Sequence, residues 1–331
     1  MRRKAIFFFF VFLITWFAHG FAEPQPLKIS DIQKVLDRLF SFHIENRELS
    51  PLLVRRSIKL YIEQFDPEKS YLLAREVTPY LQLSDQQVAQ MMSRLKAGDY
   101  SDYFALNALF QRAIHRAEAV RGLLAQEMMD ANVEEIETSS SPYSRYASSD
   151  IELAERQRSR MVRFFLFHQS RTDLDSMERK AKVFSLYERK MRRVEAGLLL
   201  TDSMGEELPR DKAENLLSTR ILKSFAKSLD THTSFFSAEE AYEMRLSLEK
   251  QFEGIGVVLS EGIDGVMIAE LIKGSPAEKS GKIQLNDQLI EIDGKSVSEL
   301  PFDEVLSILK KKGKEVTLGF KRVNLKTKGE S

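Results

Sequence analysis

Near residue 250 this chain of 331 residues changes from a pattern typical of helices to one typical of strands. Before that point apolar residues recur every three or four positions, whereas short β-branched runs separated by glycines follow it. Seven of the fifteen glycines lie between Gly254 and Gly294. We therefore expect a mainly α N-terminal domain followed by a small α+β domain of about 80 residues.

The N-terminal part carries apolar stripes of the kind that pack one helix against others. Ser30 and Ser50 are predicted N-caps. Pro51 favours the first turn of a helix with an apolar stripe at Val54, Ile58, Tyr61 and Ile62, which ends before Asp66. A long helix is predicted through Tyr103, Leu106, Phe110, Ala113, Ala117, Val120, Leu124 and Met128. Another is predicted through Met177, Ala181, Phe184, Met191, Val194 and Leu198. Residues 134–150 are polar and are expected to form a loop.

Charge and composition exclude several functions. Lys plus Arg and Asp plus Glu both number 49, so the chain lacks the basic surplus typical of nucleic-acid-binding proteins. Residues 156–193 hold twelve Lys or Arg against four Asp or Glu, and we interpret these charges as solvated helix faces. The sequence has no cysteine and only five scattered histidines, so no metal site and no cofactor are expected.

The N-terminus has the pattern of a secretory signal peptide. Residues 1–4 are basic, residues 5–17 are uncharged and apolar, and the small residues Gly20 and Ala22 precede Glu23. An uncleaved anchor is disfavoured because the apolar run is shorter than the roughly 20 residues that cross a bilayer. We expect cleavage after Ala22, a periplasmic location and no stable membrane span after cleavage.

The C-terminal part predicts four strands, at 256–259, 266–268, 288–292 and 316–320, and two helices, at 276–280 and 302–311. Asp293-Gly294 is a hairpin turn signal. Residues 252–259 (Phe-Glu-Gly-Ile-Gly-Val-Val-Leu) resemble the carboxylate-binding loop of PDZ domains. Residues 274–281, 285–294 and 302–309 resemble later PDZ segments in order and spacing. Asn286 stands where the family has glycine, but asparagine tolerates a left-handed backbone.

This resemblance implies a partly open β-barrel with two helices that binds the C-terminal tails of other chains. Glycines let successive backbone N–H groups converge on a carboxylate, and the expected loop residues are Gly254, Ile255, Gly256 and Val257. The tail would add as a strand to the sheet. The expected groove residues are Val258, Leu259, Phe302, Val305, Leu306 and Leu309, and they favour an apolar last residue. Which of Val305 and Leu306 faces the groove stays open.

Two upstream segments extend the resemblance to tail-specific, or carboxy-terminal processing, serine proteases. Residues 229–237 (Leu-Asp-Thr-His-Thr-Ser-Phe-Phe-Ser) resemble the Leu-Asp-Pro-His-Thr segment before the PDZ domain, with Thr231 in place of proline. Residues 65–73 (Phe-Asp-Pro-Glu-Lys-Ser-Tyr-Leu-Leu) resemble an early helical segment of the same proteins. In that family the segment around Asp230 and His232 is structural, and we expect the His232 ring to hold it by hydrogen bonds.

No catalytic residue is predicted in this chain. In the resembled family a Ser–Lys pair lies beyond the PDZ domain, in a separate protease domain, and no segment here matches it. Lys321, Lys326 and Lys328 lie in a polar stretch without signs of the burial that a lysine base needs. We therefore expect no proteolysis by this chain alone, which would be a fragment, a truncated reading frame, or a product that acts without its own active site.

Two functions remain open. The chain is either the substrate-recognition part of an exported serine endopeptidase or an exported non-catalytic PDZ adaptor. A downstream reading frame that encodes a Ser–Lys domain would favour the first. The expected partners are C-terminal tails of unfolded or tagged proteins, with a separate protease domain as a further candidate. The expected organisation is a signal peptide at 1–22, a helical domain at 23–244, a PDZ domain at 245–325 and a polar tail at 326–331.

Expression in an exporting host tests the predicted leader. We expect the mature chain to begin at Glu23, because Gly20 and Ala22 satisfy the small-residue rule of signal peptidase. N-terminal sequencing of the secreted or periplasmic protein decides the question. A chain that keeps Met1 in the membrane fraction would show that the segment is an anchor.

Overall fold

The computed structural model describes residues 26–130, 143–169, 177–202, 204–238, 240–241, 244, 256–298, 300, 302–311 and 316–322. Over these ranges a mainly α region is followed by a small antiparallel sheet with two helices, which confirms the predicted fold class. The predicted leader, the polar tail and residues 134–142 of the predicted loop lie outside the described residues. None of the described helices is long and apolar enough to cross a membrane.

The described N-terminal region contains eight α-helices, preceded by a 3₁₀ turn at Ile29–Asp31. They are α1 (Ile32–Phe42), α2 (Pro51–Phe65), α3 (Ala74–Leu81), α4 (Asp85–Lys96), α5 (Ser101–Asp130), α6 (Asp150–Gln169), α7 (Met177–Leu199) and α8 (Arg210–Leu229).

The two predicted N-caps have different outcomes. Ser50 Oγ accepts a hydrogen bond from the Leu53 N–H, so the predicted start of α2 is confirmed. The predicted cap at Ser30 is wrong, because the 3₁₀ turn runs directly into α1. In that turn the Asp31 carboxylate accepts the Lys28 N–H at 3.0 Å.

The larger core lies among α1, α2, α4, α5 and α8. The predicted stripe of α2 is buried throughout, and α5 buries six of its eight predicted stripe residues. Aromatic rings join these two helices, with the Phe110 centroid 4.3 Å from Phe65 and 5.7 Å from Tyr61. A second core joins the end of α5 to α6 and α7.

Helix α7 buries a different face from the one that its hydrophobic pattern predicts. Met177 and Val194 are 65% and 62% exposed, and Ala181 is exposed as well, so the predicted stripe is wrong at these three positions. The buried face instead contains Val183, Leu186, Tyr187, Met191, Glu195 and Ala196. A carboxylate within this face breaks the apolar periodicity from which helix faces are inferred.

That carboxylate belongs to a buried ion pair between α5 and α7. Arg121 and Glu195 are each 1% exposed, and two guanidinium nitrogens donate to the two carboxylate oxygens at 2.8 Å. Arg121 Nε also donates to Glu188, and the Tyr71 hydroxyl donates to Glu195 Oε1 at 2.7 Å. These hydrogen bonds satisfy charges that burial would otherwise strongly disfavour.

The C-terminal region contains five described strands and two helices. The strands are β1 (Val257–Gly262), β2 (Gly265–Leu271), β3 (Gln288–Ile292), β4 (Lys295–Ser296) and β5 (Leu318–Lys321), and the helices are α9 (Pro276–Ser280) and α10 (Phe302–Lys311). The strand order is β1-β2-β3-β4, with β5 paired to β3, and the described sheet is not closed. Both helices have the predicted bounds, whereas the two-residue strand β4 was not predicted.

Left-handed backbone occurs at the predicted turn positions. Asp293 and Gly294 have φ values of 48° and 76°, and their two positive values match the type I′ turns of tight hairpins. Asn286 has a φ of 67°, so asparagine adopts the left-handed backbone expected for it at this turn. Its neighbour Asp287 is buried and accepts hydrogen bonds from the Gln284 N–H and the Arg322 guanidinium.

Removal of Glu195 tests the buried ion pair. We expect Glu195→Ala to lower the free energy of unfolding of the helical region by about 3–5 kcal/mol, because Arg121 loses its main charge partner without reaching water. The exposed pair Lys59–Glu63 is the control, and Glu63→Ala should change that free energy by at most about 1 kcal/mol. Urea unfolding followed by circular dichroism gives both values. Equal losses in the two variants would contradict the assigned role of the buried pair.

Candidate functional site

The predicted carboxylate-binding loop is described only at its end. Gly254 and Ile255 lie outside the described residues, and Gly256 has a φ of +79°. A Cβ at Gly256 would lie 2.0 Å from Ser275 Cβ, so the loop passes directly against the first residue before α9. The Gly256 carbonyl accepts the Ile272 N–H at 2.9 Å. Glycine is therefore required at this position for both backbone angle and space.

Strand β1 presents an edge beside this loop. One side of β1 pairs with β2, and its other side pairs with none of the described strands. Val258 is 41% exposed, while Leu259 is half-buried and packs against the core of the sheet. An unpaired edge with free backbone donors and acceptors can accept an added strand.

Helix α10 packs on the same core of the sheet as Leu259 of β1. Val305 is completely buried in the core of the sheet, so it supports the domain from inside. Phe302 and Leu309 are half-buried and also pack on that core. Leu306 is half-buried and lies outside the core cluster, which makes it the better candidate of the pair for a groove contact. The groove assignment of these residues stays a prediction.

The segment after α8 is held by a histidine that sequence reasoning missed. Asp230 Oδ1 accepts the backbone N–H groups of His232 and Thr233 at 2.7 and 2.6 Å, and Oδ2 lies 2.8 Å from His43 Nε2. His43 Nδ1 accepts the Asn46 N–H at 2.9 Å, so the ring proton is on Nε2 and is donated to Asp230. These hydrogen bonds, those of the backbone first, hold the pKa of Asp230 far below its ordinary value.

The predicted ring contact of His232 is therefore wrong. The His232 side chain is exposed, and the residue instead donates its backbone N–H to Asp230 Oδ1. His43 lies 187 residues before Asp230, so no local spacing could identify it. The hydrogen bonds of Asp230 fix the exit of the chain from α8.

The early segment that follows α2 is organised by one buried carboxylate. Asp66 is 1% exposed and accepts three backbone N–H groups, those of Ser70, Tyr71 and Leu72, at 2.7–3.1 Å. Tyr71 in turn donates its hydroxyl to Glu195 of the buried ion pair. The segment 65–73 thus ends α2 and connects it to α7.

Several basic residues of 156–193 are paired with other parts of the chain, whereas the sequence pattern predicted solvated helix faces. Arg156 donates to the backbone carbonyls of Lys69 and Arg145, and Arg158 pairs with Glu127. Arg189 and Arg193 both donate to Glu261 on β1. These contacts join elements distant in sequence, and charge counting alone could not assign them. Among the described residues no group of three or more His, Asp or Glu side chains could hold a metal ion.

The unclosed antiparallel sheet with its glycine turn and flanking helices defines a PDZ domain, and the PDZ domain family matches residues 245–321. The family described as Tail specific protease N-terminal domain matches residues 35–239, which is more than half of the chain. The chain therefore belongs to the tail-specific protease family.

The chain is similar to individual proteins over less than a quarter of their length. The chain is 35% identical over 106 residues to the carboxy-terminal processing protease CtpA of Bacillus subtilis, covering 31% of this chain and 22% of that protein. It is 34% identical over 85 residues to the tail-specific protease of Haemophilus influenzae, covering 26% and 12%. The match to the Patj homolog of Drosophila melanogaster has 30% identity over 89 residues, covering 25% and 10%.

Two glycine substitutions separate backbone strain from steric clash in the loop. Gly256→Ala should cost about 1–2 kcal/mol for its positive φ and about 1–3 kcal/mol more for the contact with Ser275. Gly274→Ala is the matched control, since it has a φ of +81° but nothing within 4 Å of the added Cβ. Hydrogen exchange of the β1 and β2 amides measures both losses. Equal losses of protection in Gly256→Ala and Gly274→Ala would show that the contact with Ser275 adds no cost to the substitution.

Proposed function

We propose that this chain is the substrate-recognition part of an exported tail-specific serine endopeptidase, in which the PDZ domain binds the apolar C-terminal tails of other proteins. Peptide hydrolysis would come from a Ser–Lys domain, for which this chain supplies no residue. The membership in the tail-specific protease family supports the proposed role in a protease. Export is proposed from the basic and apolar leader that ends at Ala22.

The observation that carries the proposal is the edge of β1 beside α10. Its backbone has no partner strand among the described residues on the side away from β2, so a peptide can extend the sheet there. The tail carboxylate would lie at the glycine loop, where Gly254, Ile255, Gly256 and Val257 are the proposed donors. Since this loop precedes β1, the tail must run antiparallel to the strand.

The proposed pocket for the last side chain is apolar. Leu259 and Leu309 are half-buried against the core, and Leu306 is half-buried without being part of it. A leucine, valine or alanine side chain at the end of the tail would cover this surface and remove apolar area from water. A charged last side chain would lose its hydration without gaining a partner.

Paired peptides test this proposal. A peptide with a free carboxylate and an apolar last residue should bind the full chain with a Kd on the order of micromolar to near-millimolar. The same peptide with an amidated end should bind at least about tenfold more weakly, because the charge-assisted hydrogen bonds to the loop are lost. Fluorescence anisotropy or isothermal titration calorimetry measures both affinities.

A groove variant locates the binding site. Leu306→Asn should weaken the free-acid peptide several-fold, whereas Ser307→Asn, on the adjacent position of α10, should leave it unchanged. Equal affinity for the free and amidated peptides would reject carboxylate recognition. Equal effects of the two α10 variants would reject the assigned groove.

A further inference from the structure

Helix α7 of the helical domain reaches one end of the proposed peptide groove through Arg193. Arg193 Nη2 donates to Glu261 Oε2 on β1 at 2.9 Å, and Arg193 Nε donates to Asp303 Oδ2 on α10 at 3.2 Å. The guanidinium carbon lies 4.9 Å from the centroid of the Phe302 ring. Because β1 and α10 are the two walls of the groove, this single side chain bridges them.

Neighbouring contacts hold the PDZ domain against α7 at this point. Glu261 is only 8% exposed and also accepts a hydrogen bond from Arg189 Nε at 2.6 Å. Arg179 pairs with Asp264 at 3.4 Å, and Ile263 packs against the second helical core. The β1–β2 hairpin is thus docked on α7 by two ion-paired positions and an apolar contact.

The direction of the proposed tail places its upstream residues at these arginines. In the proposed binding mode the tail carboxylate lies at Gly256, so the last residue of the tail is opposite Val257 and each earlier residue lies one step further along β1. A strand advances about 3.4 Å per residue, so Glu261 is about 14 Å beyond Val257. The fifth residue, counted back from the C-terminus, therefore lies beside Glu261 and Arg193.

Arg189 and Arg193 each have an unused N–H group that could donate a hydrogen bond to the fifth residue of the tail. Arg193 Nη1 and Arg189 Nη2 have no acceptor in the described part of the chain. Arg193 and Arg189 are 33% and 41% exposed, so an approaching side chain can reach them. A carboxylate would accept charge-assisted hydrogen bonds from these free N–H groups, whereas an ammonium group has no acceptor for them. Glu261 and Asp303 already balance the two guanidinium charges, so the expected preference comes from these hydrogen bonds.

We propose that Arg189 and Arg193 of the helical domain are specificity-determining residues of the peptide site and select tails with an acidic residue at the fifth position from the C-terminus. This inference rests on the proposed binding of C-terminal tails by the PDZ domain. It makes the recognition site a composite of both domains, with the PDZ groove binding the end of the tail and α7 recognising its upstream part.

Peptides of one sequence with Glu, Gln or Lys at the fifth position from the C-terminus test the inference on the full chain. The Glu peptide should bind about threefold more tightly than the Gln peptide, and the Lys peptide about threefold more weakly, as expected for exposed ion pairs. The preference should shrink as ionic strength rises. In Arg193→Gln and in Arg189→Gln the preference for Glu over Lys should shrink or reverse, because a free donor is lost and Glu261 loses one of its two positive partners.

Arg192→Gln is the matched control, since Arg192 is exposed on the same helix and makes no ion pair among the described residues. It should keep the full preference. Equal binding of the three peptides to the unmodified chain, or an unchanged preference in Arg193→Gln, would overturn the inference. An increase in affinity for all three peptides in Arg193→Gln would show that the arginine blocks the groove, and would overturn it too.

The amidated form of the Gln peptide separates this inference from the proposed function. If the free acid binds more tightly than the amide but the fifth position has no effect, tail recognition stands and the role of α7 is rejected. If the free acid and the amide bind equally, recognition of C-termini is rejected and the inference falls with it.

Discussion

The ion pair between Arg121 and Glu195 sets the orientation of helix α7. Both side chains are 1% exposed, and each carboxylate oxygen accepts a guanidinium N–H at 2.8 Å. A buried ion pair adds little net stability over an apolar pair of similar shape, but a shifted register would leave two charges unpaired in the interior. The pair therefore acts on geometry: it defines which face of α7 is inside and which face presents Arg189 and Arg193.

That orientation connects the helical domain to the PDZ domain. Glu195 lies two residues after Arg193 on the same helix, so the two side chains point in different directions. The inward carboxylate also accepts the Tyr71 hydroxyl, which ties α7 to the segment organised by Asp66. The outward Arg193 donates to Glu261 on β1 and to Asp303 on α10, the two elements that flank the proposed groove. A shift of α7 would therefore alter both the helical core and its contacts with β1 and α10.

Local sequence patterns correctly predicted the elements that depend only on residues close together in the chain. The apolar stripe of α2, the Ser50 cap, the bounds of α9 and α10 and the left-handed turn at Asp293-Gly294 all follow from side-chain period, cap chemistry or backbone angle. The predicted face of α7 was wrong at Met177, Ala181 and Val194 because its buried side includes a carboxylate whose partner is 74 residues away. The Ser30 cap was wrong because a 3₁₀ turn feeds α1 without a break.

The sequence by itself determined the order of a helical domain and a PDZ domain, the glycine turn at Gly256 and the family to which the chain belongs. These properties depend on periodicity and on residues close together in the chain, so short stretches of sequence are enough to predict them. Only the tertiary structure decided that His43 holds Asp230, that Val305 is core, and that Arg193 spans β1 and α10. Each of these facts depends on packing between segments far apart in sequence, and a single charged or polar residue carries no local sign of its distant partner.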